Sequence, residues 1–295
     1  MEKQGRAYTL YLLISYFIFG SIGLFVKFVP LPSAVIAAFR GICGAIFIFI
    51  FMLIAKKRIS AGGLRKNFLL LGLSGLAIGF NWIFLFEAYR YTSIATATLC
   101  YYMAPVFVSV AAPFILKERL TLKNIASIIV ALIGMGLVSG ASFNGGEILG
   151  VLLGLSAALL YAFAIICNKK MGEIAPETRA LSQLLIAGIT VLPYTLLTLD
   201  TASLTINTQG IILLIIIGVV HTGVAYVLNL GSVARVPAGT VAVLSYTDPV
   251  VAIILEAVVF MKLPDITVII GAVLILGATA AASIEVRHKA TDNRH

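Results

Sequence analysis

The sequence is poor in charged residues. Of its 295 residues only 11% are Asp, Glu, Lys or Arg, whereas 61% are hydrophobic, and the mean hydropathy is +1.09. A soluble domain carries roughly 25% charged residues, so this chain lacks the polar surface that a water-exposed globule needs. The composition argues against a soluble enzyme, a disordered chain and a small disulfide-stabilised domain.

Groups that bind metals or perform covalent chemistry are also scarce. The three cysteines, Cys43, Cys100 and Cys167, are odd in number and each lies inside an apolar run, so they predict neither a disulfide framework nor a metal motif. The sequence has no clustered metal ligands, no nucleophile beside a candidate base and no glycine-rich phosphate loop. We therefore expect no metal, no cofactor and no enzymatic activity, and a membrane enzyme acting on lipid is disfavoured.

Long apolar runs make up most of the chain. A membrane-spanning helix needs about 20 apolar residues, so the chain has room for about ten spans and no separate aqueous domain. The predicted spans cover residues 8–29, 33–55, 68–89, 95–116, 122–141, 148–168, 179–199, 210–230, 238–261 and 265–284. The predicted fold class is an all-α integral membrane protein with ten transmembrane helices.

The basic residues predict the orientation of these spans. The chain has 21 Lys and Arg against 12 Asp and Glu, a net charge of +9. Because the basic residues lie in short loops, we interpret them as topology signals and expect no nucleic-acid partner. One set of alternate loops holds all of them except Lys27, Arg40, Arg90 and Lys262. Lys and Arg near helix ends stay in the cytoplasm, so both termini are predicted to be cytoplasmic, including a basic tail at residues 285–295.

The two halves of the sequence repeat one another. Residues 89–106 align with residues 233–250 at an offset of 144, and residues 15–27 align with 156–168 at an offset of 141. The predicted repeats are residues 1–141 and 148–284, with five spans each. Because five is odd, the second repeat must cross the membrane in the opposite orientation. Inverted repeats are typical of alternating-access transporters, which bind their substrate near the midplane of the bilayer.

Three stretches resemble a known family. They are R-Y-T-S-I-A-T-A-T-L at residues 90–99, the Y-x-x-P of Tyr102 and Pro105, and L-K-E-R-L at residues 116–120. Together with the repeats they resemble the EamA domain of the drug/metabolite transporter superfamily over essentially the whole chain. The resemblance implies a carrier of small organic solutes, with a cavity formed by spans 1, 3, 4, 6, 8 and 9. The second repeat departs from the pattern at Lys262, which stands where the first has Glu118.

Polar and aromatic residues on these spans are candidate contacts for the solute. A cavity walled by Trp and Tyr suits amphipathic or cationic organic solutes, through stacking and cation–π attraction of about 0.5 to 2 kcal/mol each. The alternative is that these aromatic residues are ordinary membrane packing. The predicted substrate-binding residues are Tyr16, Asn81, Trp82, Tyr101, Tyr102, Tyr161, Asn168, Tyr226, Ser245 and Tyr246.

Two titratable residues lie near the middle of their spans. His221 is about eleven residues into the eighth span and Asp248 about eleven into the ninth, which at 1.5 Å per residue brings both near mid-membrane. Because consecutive spans are neighbours, the two could approach each other and carry protons. The alternative is structural: His221 would bond between helices, and Asp248 would satisfy backbone donors freed by Pro249.

Two further pairs of residues have alternative roles. Pro105 and Pro249 occupy matching positions in the two repeats, and each is either a hinge between inward-open and outward-open forms or a permanent kink. Arg40 lies about seven residues inside the second span, and either it pairs with Glu87 in a structural charge network or it binds an anionic solute. Glu256, nearer the outer side, is expected to form a salt bridge or a gate.

These observations predict a secondary transporter in the cytoplasmic (inner) membrane. We expect it to move a small organic metabolite, an amino acid or a related solute, outwards by alternating access, with proton coupling as a hypothesis. The alternatives are a facilitated metabolite exchanger, an importer of a cationic amine or drug, a channel, and a non-transporting assembly subunit. The expected partners are a small-molecule substrate, the lipid bilayer and protons, and the protein is either a monomer or a homodimer.

Overall fold

The chain is helical throughout the part that the computed structural model describes, which is residues 2–115, 122–143, 147–198, 207–233, 235–236, 238–261 and 263–278. The first repeat contains α1 (Glu2–Phe28), α2 (Ser33–Ile54), α3 (Ala61–Tyr91), α4 (Ile94–Tyr101), α5 (Ala104–Ile115) and α6 (Leu122–Phe143). The second contains α7 (Ile148–Lys170), α8 (Pro176–Thr198), α9 (Thr208–Ile216), a π-helical segment (Ile217–Val224), α10 (Ala225–Val233), α11 (Ala238–Ser245), α12 (Thr247–Phe260) and α13 (Ile266–Ala278).

Seven helical stretches of the described chain are long and apolar enough to cross a membrane. They are Arg6–Phe28, Ser33–Ile54, Ala61–Tyr91, Ile94–Ile115, Ile148–Lys170, Pro176–Thr198 and Thr208–Val233. Two shorter apolar helices, Ile125–Val138 and Ile266–Ala278, lie where the fifth and tenth spans are predicted. The chain is therefore a multi-pass membrane protein. The count of ten spans remains a prediction, and the basic tail at 285–295 lies outside the described residues.

Matching interruptions divide the fourth and ninth predicted spans, which the sequence analysis treats as continuous. The first separates α4 from α5 at residues 102–103, and the second separates α11 from α12 at Tyr246. Each interruption lies a few residues before Pro105 or Pro249. A proline has no N–H to donate, and its ring clashes with the carbonyl four residues earlier, so the preceding turn cannot continue as a regular helix.

Helix α2 packs closely against the π-helical segment through small residues. A Cβ added at Gly218 would lie 2.8 Å from the Sγ of Cys43, and one added at Gly44 would overlap the side chain of Thr222. The wider turns of the π-helix leave the side chains of His221 and Thr222 bonded to carbonyls five residues earlier, those of Ile216 and Ile217. Both side chains are buried. Single π-helical turns occur often at functional sites.

The two ends of the bundle hold different polar contacts. We call the end at which α1 terminates the far end, and the end at which α1 begins the near end. At the near end, Lys57 Nζ lies 3.4 Å from Glu177 Oε1, and Gly172 N donates to Asn67 Oδ1.

Two features of the family resemblance lie outside the described residues. They are the stretch 116–120 and Lys262.

Candidate substrate-binding site

Tyrosines from several elements lie within electrostatic range of Asp248. Tyr16 of α1, Tyr101 of α4, Tyr102 beside it and Tyr161 of α7 all lie close enough to the Asp248 carboxylate to interact with it electrostatically. The Tyr102 hydroxyl donates to the Ser245 carbonyl at 2.9 Å and lies close to the Asp248 carboxylate. The Tyr101 and Tyr161 rings stack with centroids 5.1 Å apart. We call these five residues the Asp248 cluster.

The side chains of the Asp248 cluster are partly exposed although residues beside them on the same helices are buried. Gly20, Cys100, Ala157 and Ala158 are buried, and Tyr161 is 39% exposed. Side chains from four different elements therefore meet in a space that is still accessible from outside the protein. Carboxylate and phenol groups in such a space can bind a polar or cationic group of a solute, or hold a proton.

Helix α1 forms one wall of this space at close range. A Cβ added at Gly20 would overlap the Asp248 carbonyl oxygen and lie 2.9 Å from the Asp248 Cα. Only glycine permits this approach of α1 to the backbone of α12. Tyr16, one turn earlier on α1, is within hydrogen-bonding reach of Asn229, whose side-chain nitrogen lies 3.4 Å from the Ser15 hydroxyl.

Arg40 lies on a second side of the bundle, over two aromatic rings. Its guanidinium carbon is 4.1 Å from the Trp82 ring centroid and 5.4 Å from that of Phe86. Its Nε donates to Thr222 Oγ1 at 3.1 Å, and the residue is only 5% exposed. Tyr101, Tyr226 and Tyr89 lie close enough to interact with its charge. Arg40 thus shares Tyr101 as a neighbour with the Asp248 cluster.

The expected ion pair between Arg40 and Glu87 does not form. Glu87 Oε2 instead accepts a 2.6 Å hydrogen bond from Ser33 Oγ and lies 3.8 Å from Arg90 Nε. The ion pair does not form because the Arg40 side chain points onto the face of α3 that carries Trp82 and Phe86. Within the described part of the chain, no carboxylate pairs with Arg40.

His221 and Asp248 contact α1 at adjacent residues. The Nε2 atom of His221 lies 3.0 Å from the Ser21 hydroxyl, and its ring is 4.6 Å from that of Phe25. Asp248 contacts the preceding residue, Gly20. Because successive residues of an α-helix are 100° apart, the two groups approach α1 from different directions. The Asp248 contact is made by its backbone, and among the described residues no hydrogen bond or ion pair joins its carboxylate to His221.

The remaining predicted contacts fall into two groups. Tyr226 is close to Arg40 and packs edge-on against Phe19 at 5.6 Å, while Ser245 and Tyr246 lie at the interruption before α12. Asn81 and Asn168 make interhelical bonds instead. Asn81 is 1% exposed and donates to the Ala157 carbonyl, and Asn168 Oδ1 accepts from Gln183 Nε2 at 2.8 Å. Pro105 and Pro249 lie in the first turns of α5 and α12, just after the interruptions.

Glu256 has a role that sequence reasoning missed. Its two carboxylate oxygens accept hydrogen bonds from the backbone of Ile94 at 2.9 Å and of Ala95 at 2.6 Å, so it caps α4 from α12. A negative charge at a helix N-terminus is favoured by the helix dipole. The expected salt bridge is thus replaced by a helix cap. The partners are 161 and 162 residues apart, so no local motif could reveal it.

A cleft of about 280 Å³ opens at the far end, separate from the Asp248 cluster. Lys27, Arg90, Glu147, Glu256 and Phe260 line it. Lys27 lies over the Phe260 ring at 5.0 Å, and Phe28 stacks on the same ring at 5.8 Å. Among the described residues, no group of three or more His, Cys, Asp or Glu could hold a metal ion.

The chain is similar to known transporters over most of its length. The EamA-like transporter family matches it twice, at residues 6–140 and 148–284. An uncharacterised transporter of Bacillus subtilis is 29% identical, over 98% of this chain and 93% of its own, and a probable amino-acid metabolite efflux pump of Salmonella typhimurium is 33% identical, over 70% and 74%. Solute carrier family 35 member G1 of Mus musculus is 27% identical, over 93% and 77%.

A solved structure supports the fold independently. It aligns with 96% of this chain and 99% of its own at 19% identity, with a TM-score of 0.65. The two family matches together cover nearly all of the chain, and the similar proteins that have a descriptive name are named as transporters. The chain therefore belongs to the EamA-like transporter family and is a multi-pass membrane transporter of small solutes.

Proposed function

We propose that this transporter moves a small organic metabolite, an amino acid or a related solute, out of the cytoplasm by alternating access coupled to protons. The observation that carries the proposal is the Asp248 cluster, in which a partly exposed carboxylate on α12 lies within electrostatic range of tyrosines on α1, α4 and α7. The similarity to a probable amino-acid metabolite efflux pump supports the solute class and the direction.

The proposed topology has ten spans in two inverted repeats, residues 1–141 and 148–284, with both termini in the cytoplasm. In this arrangement the far end faces outwards and the near end inwards. The distribution of basic residues supports it, because Lys56, Lys57, Arg58, Arg65 and Lys66 all lie between α2 and α3 or at the start of α3. Labelling of cysteines introduced at either end in intact cells tests the orientation.

Alternating access in this proposal depends on the two interrupted helices. The bends before α5 and α12 lie beside Tyr102 and Asp248, so rotation about Pro105 and Pro249 would change the cluster and open one end of the bundle at a time. The solute contacts are the Asp248 cluster with Trp82, Tyr226, Ser245 and Tyr246. A proton on Asp248 competes with the solute for the same carboxylate, which couples the two movements.

Reconstituted protein tests the function directly. We expect proteoliposomes to take up labelled amino acids in a saturable way, faster when the opposite side is preloaded, and faster still with a pH gradient. Asp248→Asn should retain exchange but lose the response to the pH gradient, whereas Glu173→Gln, which changes an exposed carboxylate at the near end, should behave as wild type. Flux without saturation or preloading effect would indicate a channel, and gradient-driven transport by Asp248→Asn would remove Asp248 from coupling.

A second candidate function is import of a cationic amine or drug. The carboxylate of Asp248 and the faces of Tyr101 and Tyr161 provide what an organic cation requires, namely a negative charge and aromatic rings. The same vesicles distinguish the two functions. An importer would transport labelled quaternary amines towards the face that corresponds to the near end. It would not transport amino acids.

A further inference from the structure

Arg40 is a deeply placed cation whose charge is not matched by a carboxylate in the described part of the chain. Only 5% of the residue is exposed, and Glu87, the acid that the sequence suggests as its partner, is bonded to Ser33 and lies beside Arg90. Charged side chains inside a membrane bundle are costly, and they generally pair or mark a substrate pathway. Arg40 therefore needs an anion that the described protein does not provide.

The contacts of Arg40 hold it in one orientation and leave one side of the guanidinium free. Nε donates to Thr222, and the guanidinium carbon lies over the Trp82 and Phe86 rings. No hydrogen bond or ion pair to the two terminal nitrogens, Nη1 and Nη2, is found among the described residues. Two parallel N–H groups on one edge of a planar guanidinium match the two oxygens of a carboxylate.

The surroundings indicate which anion fits. Tyr101 and Tyr89 lie within electrostatic range of both Arg40 and Asp248, so these two tyrosines are shared neighbours of the two charges. The Asp248 carboxylate would repel a phosphate dianion more strongly than a carboxylate, and it would attract an ammonium group on the same solute. A solute that carries both a carboxylate and an ammonium group offers a partner to each of these charges.

We propose that Arg40 binds the carboxylate of the transported solute, with Trp82 and Thr222 as the residues that position it. This inference rests on the proposed transport function and adds a chemical requirement to it: the solute carries a carboxylate. Substrate binding would then supply the counter-charge that Arg40 otherwise lacks. The aromatic residues beneath the guanidinium make the position sensitive to its shape as well as to its charge.

Trp82 provides a local readout, because it is the single tryptophan of the chain and lies directly beneath Arg40. Purified protein is titrated with the natural α-amino acids, with their α-amides and with inorganic phosphate, while Trp82 emission and the melting temperature are recorded. We expect at least one amino acid to change both signals. Its α-amide should bind at least about ten-fold more weakly. Phosphate should change neither signal.

Variants separate the binding role from a structural one. Arg40→Gln should abolish the response to the acid, and Arg40→Lys, which keeps the charge without the planar fork, should weaken it. Arg65→Gln removes an exposed arginine at the start of α3 and should leave the titration unchanged. If Arg40→Gln does not fold, the comparison of acid with amide in the wild-type protein still decides the question.

Three results would overturn the inference: an amide that binds as tightly as its acid, a panel in which no carboxylate changes either signal, and a response to phosphate instead of carboxylates. Failure here differs from failure of the proposed function. Saturable counterflow of an amine that lacks a carboxylate would leave the carrier proposal standing and remove the role of Arg40. Absence of saturable counterflow for every solute would remove both.

Discussion

Helices α1 and α7 occupy matched positions in the two repeats but meet their neighbours in different ways. At the offset of 141 residues, Gly20 of α1 corresponds to Tyr161 of α7. Gly20 brings α1 against the backbone of α12 at Asp248, whereas the Tyr161 ring extends from α7 and stacks on Tyr101. At Gly20 the lack of a side chain lets α1 and α12 touch. At Tyr161 the two stacked rings keep α7 and α4 apart.

The comparison explains how a repeated sequence forms an asymmetric site. A strictly symmetric pair of repeats would put the same chemistry on both sides of the cavity. Here the position that matches Asp248 is Ala104, and the position that matches Glu256 is Ala112. Among the described residues, the second repeat supplies the buried carboxylate of Glu256 and the partly exposed one of Asp248, and the first supplies the buried cation, Arg40. The two buried charges, Arg40 and Glu256, therefore come from different repeats.

The largest expected effect comes from making α12 resemble its counterpart at the helix cap. Glu256→Ala leaves the N–H groups of Ile94 and Ala95 without acceptors in a buried place, and hydrogen bonds to a charged group contribute roughly 1.5 to 3 kcal/mol each. We expect a loss of about 3 kcal/mol or more in the free energy of unfolding. Denaturant or thermal unfolding of the purified protein measures it.

Glu147→Gln is the matched control for this prediction. Glu147 is a half-buried acid at the same end of the bundle and accepts one hydrogen bond, from Thr92 Oγ1 at 2.7 Å. Its amide retains an acceptor, so we expect a loss of less than about 1 kcal/mol. An equally small loss in Glu256→Ala would mean that the cap does not hold the far end together.

The second prediction adds a methyl group to the closed interface. In Gly20→Ala the new Cβ would overlap the Asp248 carbonyl oxygen, and a backbone atom cannot rotate away as a side chain can. Overpacking of this kind costs typically about 1 to 3 kcal/mol. We expect that loss of stability together with loss of transport, because the added methyl group displaces α1 from the Asp248 backbone at the proposed site.

Gly72→Ala provides the opposite case for the same chemical change. Gly72 lies in α3, and nothing lies within 4 Å of the position that its Cβ would take. Alanine in an open helical position is favoured over glycine by roughly 0.5 to 1 kcal/mol, so we expect equal or higher stability with normal transport. A similar result for Gly20→Ala would show that the two helices are not in direct contact in the working protein.

Sequence reasoning predicted the class of the molecule because that class depends on composition and on long apolar runs. The family assignment is confirmed. Of the predicted membrane fold, seven spans are confirmed, and two shorter apolar helices lie where the fifth and tenth spans are predicted. The interruptions before Pro105 and Pro249 follow from the chemistry of proline, although the apolar runs alone predict continuous helices across them. Structural features that depend on composition and on local chemistry could therefore be predicted.

The partners of the buried polar residues could not be predicted in the same way. Arg40 was paired with Glu87 because both lie near one end of adjacent spans, but the direction of each side chain depends on how α2 rotates against α3. Thr222 reaches Arg40 from the π-helical segment, and a π-helix leaves no period in the sequence that distinguishes it from an α-helix. Such contacts depend on tertiary packing.

The smallest expected effect comes from removing the ring that holds the second interface apart. Tyr161→Ala makes α7 resemble α1, and because the ring is 39% exposed and its stack on Tyr101 is worth roughly 0.5 to 1.5 kcal/mol, stability should fall by about 1 kcal/mol. The loss of the ring enlarges the cavity, so bulkier solutes should compete better for transport. Counterflow inhibited by amino acids of increasing side-chain size measures the change, and Tyr161→Phe, which keeps the stack, should retain the wild-type order. If Tyr161→Ala also keeps that order, the space between α7 and α4 is not where the solute lies, and the asymmetry of the two interfaces concerns packing alone.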